Sequence, residues 1–312
     1  MQPLIWDRRP AGLRAPVMVC AFEGWNDAGD AASTAVAFMS TALQAERFAH
    51  IETEEFYDFQ ANRPRIRLSS EGDGRREIEW PSVEMYAAPV PGSQRDLVLV
   101  QGVEPSMRWR SFSALVVELA EALGVQMVVT LGALLADVPH TRPIAMTGFA
   151  SDPVLMERMG AHRPSDYEGP TGIVGVLHSA CTEAGLPSMS LWASIPHYVA
   201  AAPSPKAALA LVRRLEGVLG ISLDTVELEE ATVTYERQVG LAVSSNPEVQ
   251  AFVDRLEQDD EDDEAGEEGD AETSVDLPLL LEDLPSGDLL ASEFQRFLRQ
   301  RGEDEPPADS RS

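Results

Sequence analysis

One stretch, Val17 to Met39, restricts the possible folds more than any other. Val17 to Phe22 is an apolar run rich in β-formers and reads as a buried strand. Glu23 to Asp30 is polar, with two glycines, and reads as a turn. Beyond it, Ala31, Ala35, Phe38 and Ala42 recur at helical spacing, as do Ala32, Val36, Met39 and Leu43. The small side chains let that helix approach a sheet closely. Asp27 is placed to cap it, with Asp30 three residues on. Strand, polar turn and helix make the first unit of an α/β domain, whose ligand crevice lies at the strands' carboxyl ends. Glu23, Trp25, Asn26 and Asp27 belong there.

The pattern repeats down the chain. Asp96 to Gln101 and Gln126 to Leu131 read as buried strands, separated by a helix that presents Phe112, Leu115, Val116, Leu119 and Leu123. This order favours parallel neighbours with right-handed crossovers. Residues 132–143 read as a loop or short helical turn after the third strand, and Ile144 to Phe149 as a further strand. Helices are expected over 153–159 and 171–184, the latter with Ile173, Leu177, Ala180, Cys181 and Ala184 inward. Ser188 to Ser194 reads as a strand, and Ser204-Pro205 opens a helix that Gly220 stops. Arg47 to Glu54 and Arg76 to Trp80 read as strands. If the chain between them is extended, Arg63, Arg65 and Arg67 share one face, either a solvated edge or a subunit contact or anion site. The expected architecture is α/β, three layers around a mostly parallel sheet.

Composition sets the boundaries. Residues 1–222 form the α/β core, and 223–258 an appended helical hairpin with Val249, Phe252, Val253 and Leu256 inward. Residues 259–285 form an acidic linker too poor in apolar side chains to order itself. A short amphipathic helix follows at 286–300, with Leu290, Phe294, Phe297 and Leu298 on one face, then a disordered terminus at 301–312. The net charge of −28 argues against nucleic acid as a partner. No uncharged apolar run is long enough to span a membrane, and no signal peptide opens the chain, so a soluble cytoplasmic protein is expected. Cys20 and Cys181 sit in apolar settings and read as buried free thiols.

Candidate chemistry is sparse. The common phosphate-loop, dinucleotide, zinc-protease, Cys-x-x-Cys and nucleophile-elbow signatures are absent, and no cofactor or metal is assigned. Gly169-x-x-Gly172-x-x-Gly175 opens a helix, so Gly169, Thr171 and Gly172 could hold an anion on backbone amides; a tight turn with close helix packing explains the same glycines. Asp137 lies three residues before His140, and a carboxylate can orient an imidazole for base catalysis. With Glu23, Glu168 and His197 these are the catalytic candidates, should the strand ends bring them together. Trp25, Asn26, Tyr57, Phe59 and Trp109 read instead as an interaction surface, joined by the four apolar residues of the terminal helix.

Three motifs carry a resemblance: Ala21-Phe-Glu-Gly-Trp-Asn-Asp-Ala-Gly-Asp-Ala-Ala, then Thr130 to Pro143, then Tyr167-Glu-Gly-Pro-Thr-Gly-Ile-Val-Gly with Ser194-Ile-Pro-His-Tyr-Val beyond it. In this order they resemble the bacterial branch of the proteasome assembly chaperone family of the PAC-two type, over roughly residues 1–258. The resemblance implies a purine-nucleoside-phosphorylase-like fold. It also implies a self-associating protein, with a trimer as first expectation, that binds proteasome-related or other protein clients. Some relatives carry a hydrophobic-Tyr-x terminus that docks on the proteasome; this chain ends Pro-Pro-Ala-Asp-Ser-Arg-Ser. An enzyme is the alternative, either phosphorylase- or hydrolase-like or an ATP-dependent carboxylate–amine ligase. Against the ligase, Lys206 is the sole lysine available to hold ATP phosphates. The reading favours a non-catalytic interaction protein.

Overall fold

The computed structural model describes residues 3–69, 74–159, 168–199 and 203–266, with side chains up to 258. The strands are β1 (Leu4–Trp6), β2 (Val17–Glu23), β3 (Glu46–Ile51), β4 (Arg65–Leu68), β5 (Arg76–Glu79), β6 (Val83–Ala88), β7 (Leu97–Val103), β8 (Met127–Ala136), β9 (Met146–Ala150) and β10 (Ser188–Pro196). The helices are α1 (Ala31–Ala42), α2 (Trp109–Ala122), α3 (Pro153–Met159), α4 (Ile173–Glu183), α5 (Pro205–Leu219), α6 (Val226–Ser244) and α7 (Pro247–Gly266).

Eight strands form one mixed sheet in the order β1-β3-β6-β7-β2-β8-β10-β9. The centre, β7-β2-β8-β10, is parallel. The flanking strands pair antiparallel. Every residue from Val17 to Phe22 is buried, as a central strand covered on both faces requires. Val17, Val19 and Ala21 point to a layer made by α1 and α5; Met18, Cys20 and Phe22 point to one made by α2 and α4. Sheet and helices thus make the expected three layers.

Some expectations need correction. The third buried strand does not end at Leu131: β8 runs to Ala136, because β10 stays in parallel register beside it as far as Pro196. The chain between β3 and β7 also supplies β6, and β4 pairs with β5 in a separate two-stranded hairpin. Ala184 is exposed, one residue past the end of α4, while Val174 takes an inward position. Helices α6 and α7 pack back on the body: Tyr235, Val239 and Val243 from one and Val249 and Val253 from the other bury Tyr198 and Val199. The last helix continues to Gly266, eight residues past the boundary that composition sets, since packed first turns carry an acidic extension beyond the core. The terminal segment with Leu290, Phe294, Phe297 and Leu298 lies outside the described residues. Among the described residues no helix is long and apolar enough to cross a membrane.

Candidate functional site

The carboxyl ends of β2, β7 and β8 carry the polar residues that the motifs contribute. After β2 the chain turns through Gly24 and Trp25. The Asn26 carbonyl accepts from the Ala133 amide at 2.8 Å, and Asp27 makes an isolated parallel bridge with Ala133. Asn26 is wholly buried. Its Nδ2 donates to Glu104 Oε1 at 2.8 Å, and the same oxygen accepts from the Ile173 amide at 2.9 Å. Glu104, just beyond β7, thereby ties the turn after β2 to the first turn of α4. Gly102, two residues earlier, lets β7 lie close against the start of β6: at φ +150° a Cβ would lie 1.9 Å from the Ser82 carbonyl. Gly172 is equally constrained, because a Cβ there would meet Asn26 Oδ1 at 2.3 Å.

The amide end of α4 therefore already holds an anion, the carboxylate of Glu104. Gly169 and Thr171 are exposed beside it, and Gly172 packs on Asn26. Close helix packing, the second of the two readings of these glycines, describes Gly172. Nothing in the spacing of the sequence marked Glu104, which has no motif of its own and reaches partners 78 and 69 residues away.

Asp27 does cap α1, from a greater distance than a standard N-cap. A single 3-10 turn, Ala28–Asp30, intervenes, and the Asp27 carboxylate accepts from the Ala32 amide at 2.7 Å and the Ser33 amide at 3.2 Å. Burial pushes its pKa up to about 6, against the lowering effect of those bonds.

Three of the five catalytic candidates come together and two do not. His197 Nδ1 lies 3.2 Å from Asp137 Oδ1, at the surface. Beside them the Tyr198 hydroxyl accepts from the His140 amide at 2.7 Å and shares a second hydrogen bond with His140 Nδ1 at 2.9 Å. Burial, then nearby Lys206, holds His140 below the usual imidazole range. Lys206 donates to the His140 carbonyl at 2.7 Å and pairs with Glu236 at 2.9 Å. The sole lysine thus fastens the 137–143 loop to α6. Glu23 lies elsewhere, on the wall of a cleft of about 880 Å³ that runs between the strand ends and the β4–β5 hairpin. Glu168 is exposed and has no described partner. Among the described residues no three His, Cys, Asp or Glu side chains are grouped to hold a metal ion. Both cysteines are free and buried, and burial raises the Cys181 thiol to about 12.

The interaction candidates divide as well. Trp25 is 66% exposed and stands beside Leu134 and Leu135, with Asp27 and Trp192, around a cleft of about 580 Å³. Asn26 is internal. Tyr57 is buried and donates its hydroxyl to the Val103 carbonyl at 2.6 Å. Trp109 is partly buried and donates to the Pro105 carbonyl; Phe59 is partly buried with its ring edge-on to Trp80 at 4.9 Å. An aromatic in a polar loop reads as exposed from sequence, yet a hydroxyl or indole N–H that meets a carbonyl can anchor it inside. Leu134 and Leu135 were missed because their strand was expected to end before them.

The PAC2 family model matches residues 21–242, a span holding all of the strand-end residues above. The chain belongs to the PAC2 family. A solved PAC2 family protein from Streptomyces avermitilis is 50% identical, with a TM-score of 0.71 over 76% of this chain and 99% of that one. A proteasome-assembly chaperone homologue from Mycobacterium tuberculosis is 44% identical, with a TM-score of 0.70 over 76% and 99%. An archaeal proteasome activator from Pyrococcus furiosus, 17% identical with a TM-score of 0.62 over 76% and 96%, shares the fold. No curated protein matches the chain.

Proposed function

We propose that this PAC2 family member is a non-catalytic assembly factor, which self-associates and binds other proteins. The observation that carries the proposal is the division of labour at the strand ends. Asn26, Asp27, Glu104 and Lys206, buried or half-buried polar groups around the strand ends, are committed to holding β2, β7, α1, α4 and α6 together. Beside them Trp25, Leu134 and Leu135 stay exposed as an apolar patch. A large exposed aromatic flanked by aliphatic side chains is the composition of an interface centre. The names borne by the M. tuberculosis and P. furiosus relatives favour a proteasome-related partner. A trimer is the first expectation for the self-assembly, in the cytoplasm.

The proteasome arm is tested by mixing the purified chain with the proteasome α-subunits of its own organism and resolving the products on a native gel. A co-migrating complex is expected for the wild type and its loss for Trp25→Ser. Absence of any complex with the wild type, across subunits and half-assembled particles, overturns the proteasome assignment.

A further inference from the structure

The β4–β5 hairpin stands outside the main sheet, and every described residue in its two strands is exposed. Ile66 and Ile78 sit directly opposite each other and share one face with Leu68; the three are 65%, 57% and 71% exposed. Arg76, opposite Leu68, lies on the same face. The other face carries Arg65 and Glu79 opposite each other and Arg67 opposite Glu77. Arg67 pairs with Glu79, whereas Arg63, Arg65 and Arg76 have no described partner. A lone two-stranded hairpin is marginally stable in water, and a contiguous exposed apolar face marks a contact. Here the contact face is apolar and carries the Arg76 guanidinium, with Arg65 on the opposite face of the same ribbon, in a chain of net charge −28.

An occupant that fits must be apolar and anionic. We propose that this face docks the chain's own C-terminal segment, residues 277–298. That segment places Leu290, Phe294, Phe297 and Leu298 at helical spacing, and it follows a run with a large acidic excess. A second copy fits less well. Three aliphatic side chains expose far less than the roughly 800 Å² per partner that a stable complex buries. A tethered segment needs much less, because a short linker holds it at an effective concentration in the millimolar range. Reach is sufficient: the 24 residues from Gly266 to Leu290 can span at most ~80 Å, against a domain radius of gyration of ~18 Å.

Hydrogen exchange read by mass spectrometry on the full chain tests this docking. With Phe294→Ser and Phe297→Ser together, the amides of β4 and β5 should exchange at least about tenfold faster, with β2 and β8 unchanged. In the reciprocal variant, Ile66→Ser with Ile78→Ser, the amides of 286–300 should lose protection to the same degree while β2 and β8 again hold. Unchanged hairpin exchange in the phenylalanine variant overturns the proposal. So does hairpin protection that disappears on dilution of the wild type, which would make the occupant a second copy.

Discussion

Asn26 Nδ2 and Glu104 Oε1 lie 2.8 Å apart, and that hydrogen bond joins two strand ends separated by 78 residues of chain. Because the same carboxylate oxygen also takes the Ile173 amide, one side chain fixes the relative position of β2, β7 and α4. Replacing it should be felt as structure. For Glu104→Ala we expect a loss of about 2–3 kcal/mol in chemical denaturation, since the buried Asn26 amide and the first amide of α4 both lose a charged acceptor. Glu104→Gln retains an oxygen acceptor and should lose less. A full loss of stability in the glutamine variant and none in the alanine variant would contradict the geometry.

Gly172 allows a test of packing alone. Its φ of −102° is open to any residue, so backbone strain plays no part. The added methyl of Gly172→Ala would meet Asn26 Oδ1 at 2.3 Å and must displace it. Overpacking of this kind costs about 1–3 kcal/mol. Thermal melts should show the drop, and crystals of the variant should show Asn26 moved from Glu104.

Asp27 predicts a pH dependence with a definite sign. Its folded-state pKa of about 6 lies above the ordinary aspartate value of 3.8, so the folded protein binds the extra proton between those values. The protonated side chain favours the fold; its contribution is complete below about pH 4 and is lost as pH rises through about 6. The loss is on the order of 3 kcal/mol. His140 and His178 are held below the usual imidazole range by burial, so they act in the opposite sense and gain stability as pH rises toward 6.5. The difference between wild type and Asp27→Asn, measured by denaturation from pH 4 to pH 7, isolates the aspartate. Parallel profiles for the two proteins would remove Asp27 as the source.

The strand, turn and helix of residues 17–42 were legible because burial on both faces of a parallel strand writes a continuous apolar run, and a small-residue helix writes its own period. The helix opened by Ser204-Pro205 and ended at Gly220 was legible for the same local reason: the Ser204 hydroxyl does accept from the Ala207 amide, at 3.3 Å. What could not be read depends on distant partners. β8 continues to Ala136 only because β10 lies beside it, and Tyr57 is internal because its ring joins the buried cluster with Phe22, Phe56 and Phe112 while its hydroxyl meets the Val103 carbonyl. Glu104 is the clearest case. A single acid beside a proline has no periodicity, and its role exists only once Asn26 and Ile173 have been brought to it.

The central claim is that the strand ends hold structure while Trp25, Leu134 and Leu135 make protein contacts. Sedimentation velocity on wild type and Trp25→Ser at micromolar concentration tests it most directly. A 66% exposed side chain contributes little to folding, so the variant's stability should stay within about 0.5 kcal/mol of wild type. The account predicts a trimer-sized boundary for wild type and a monomer for the variant. A wild type that sediments as a monomer throughout, or a variant whose assembly is undiminished, would contradict it.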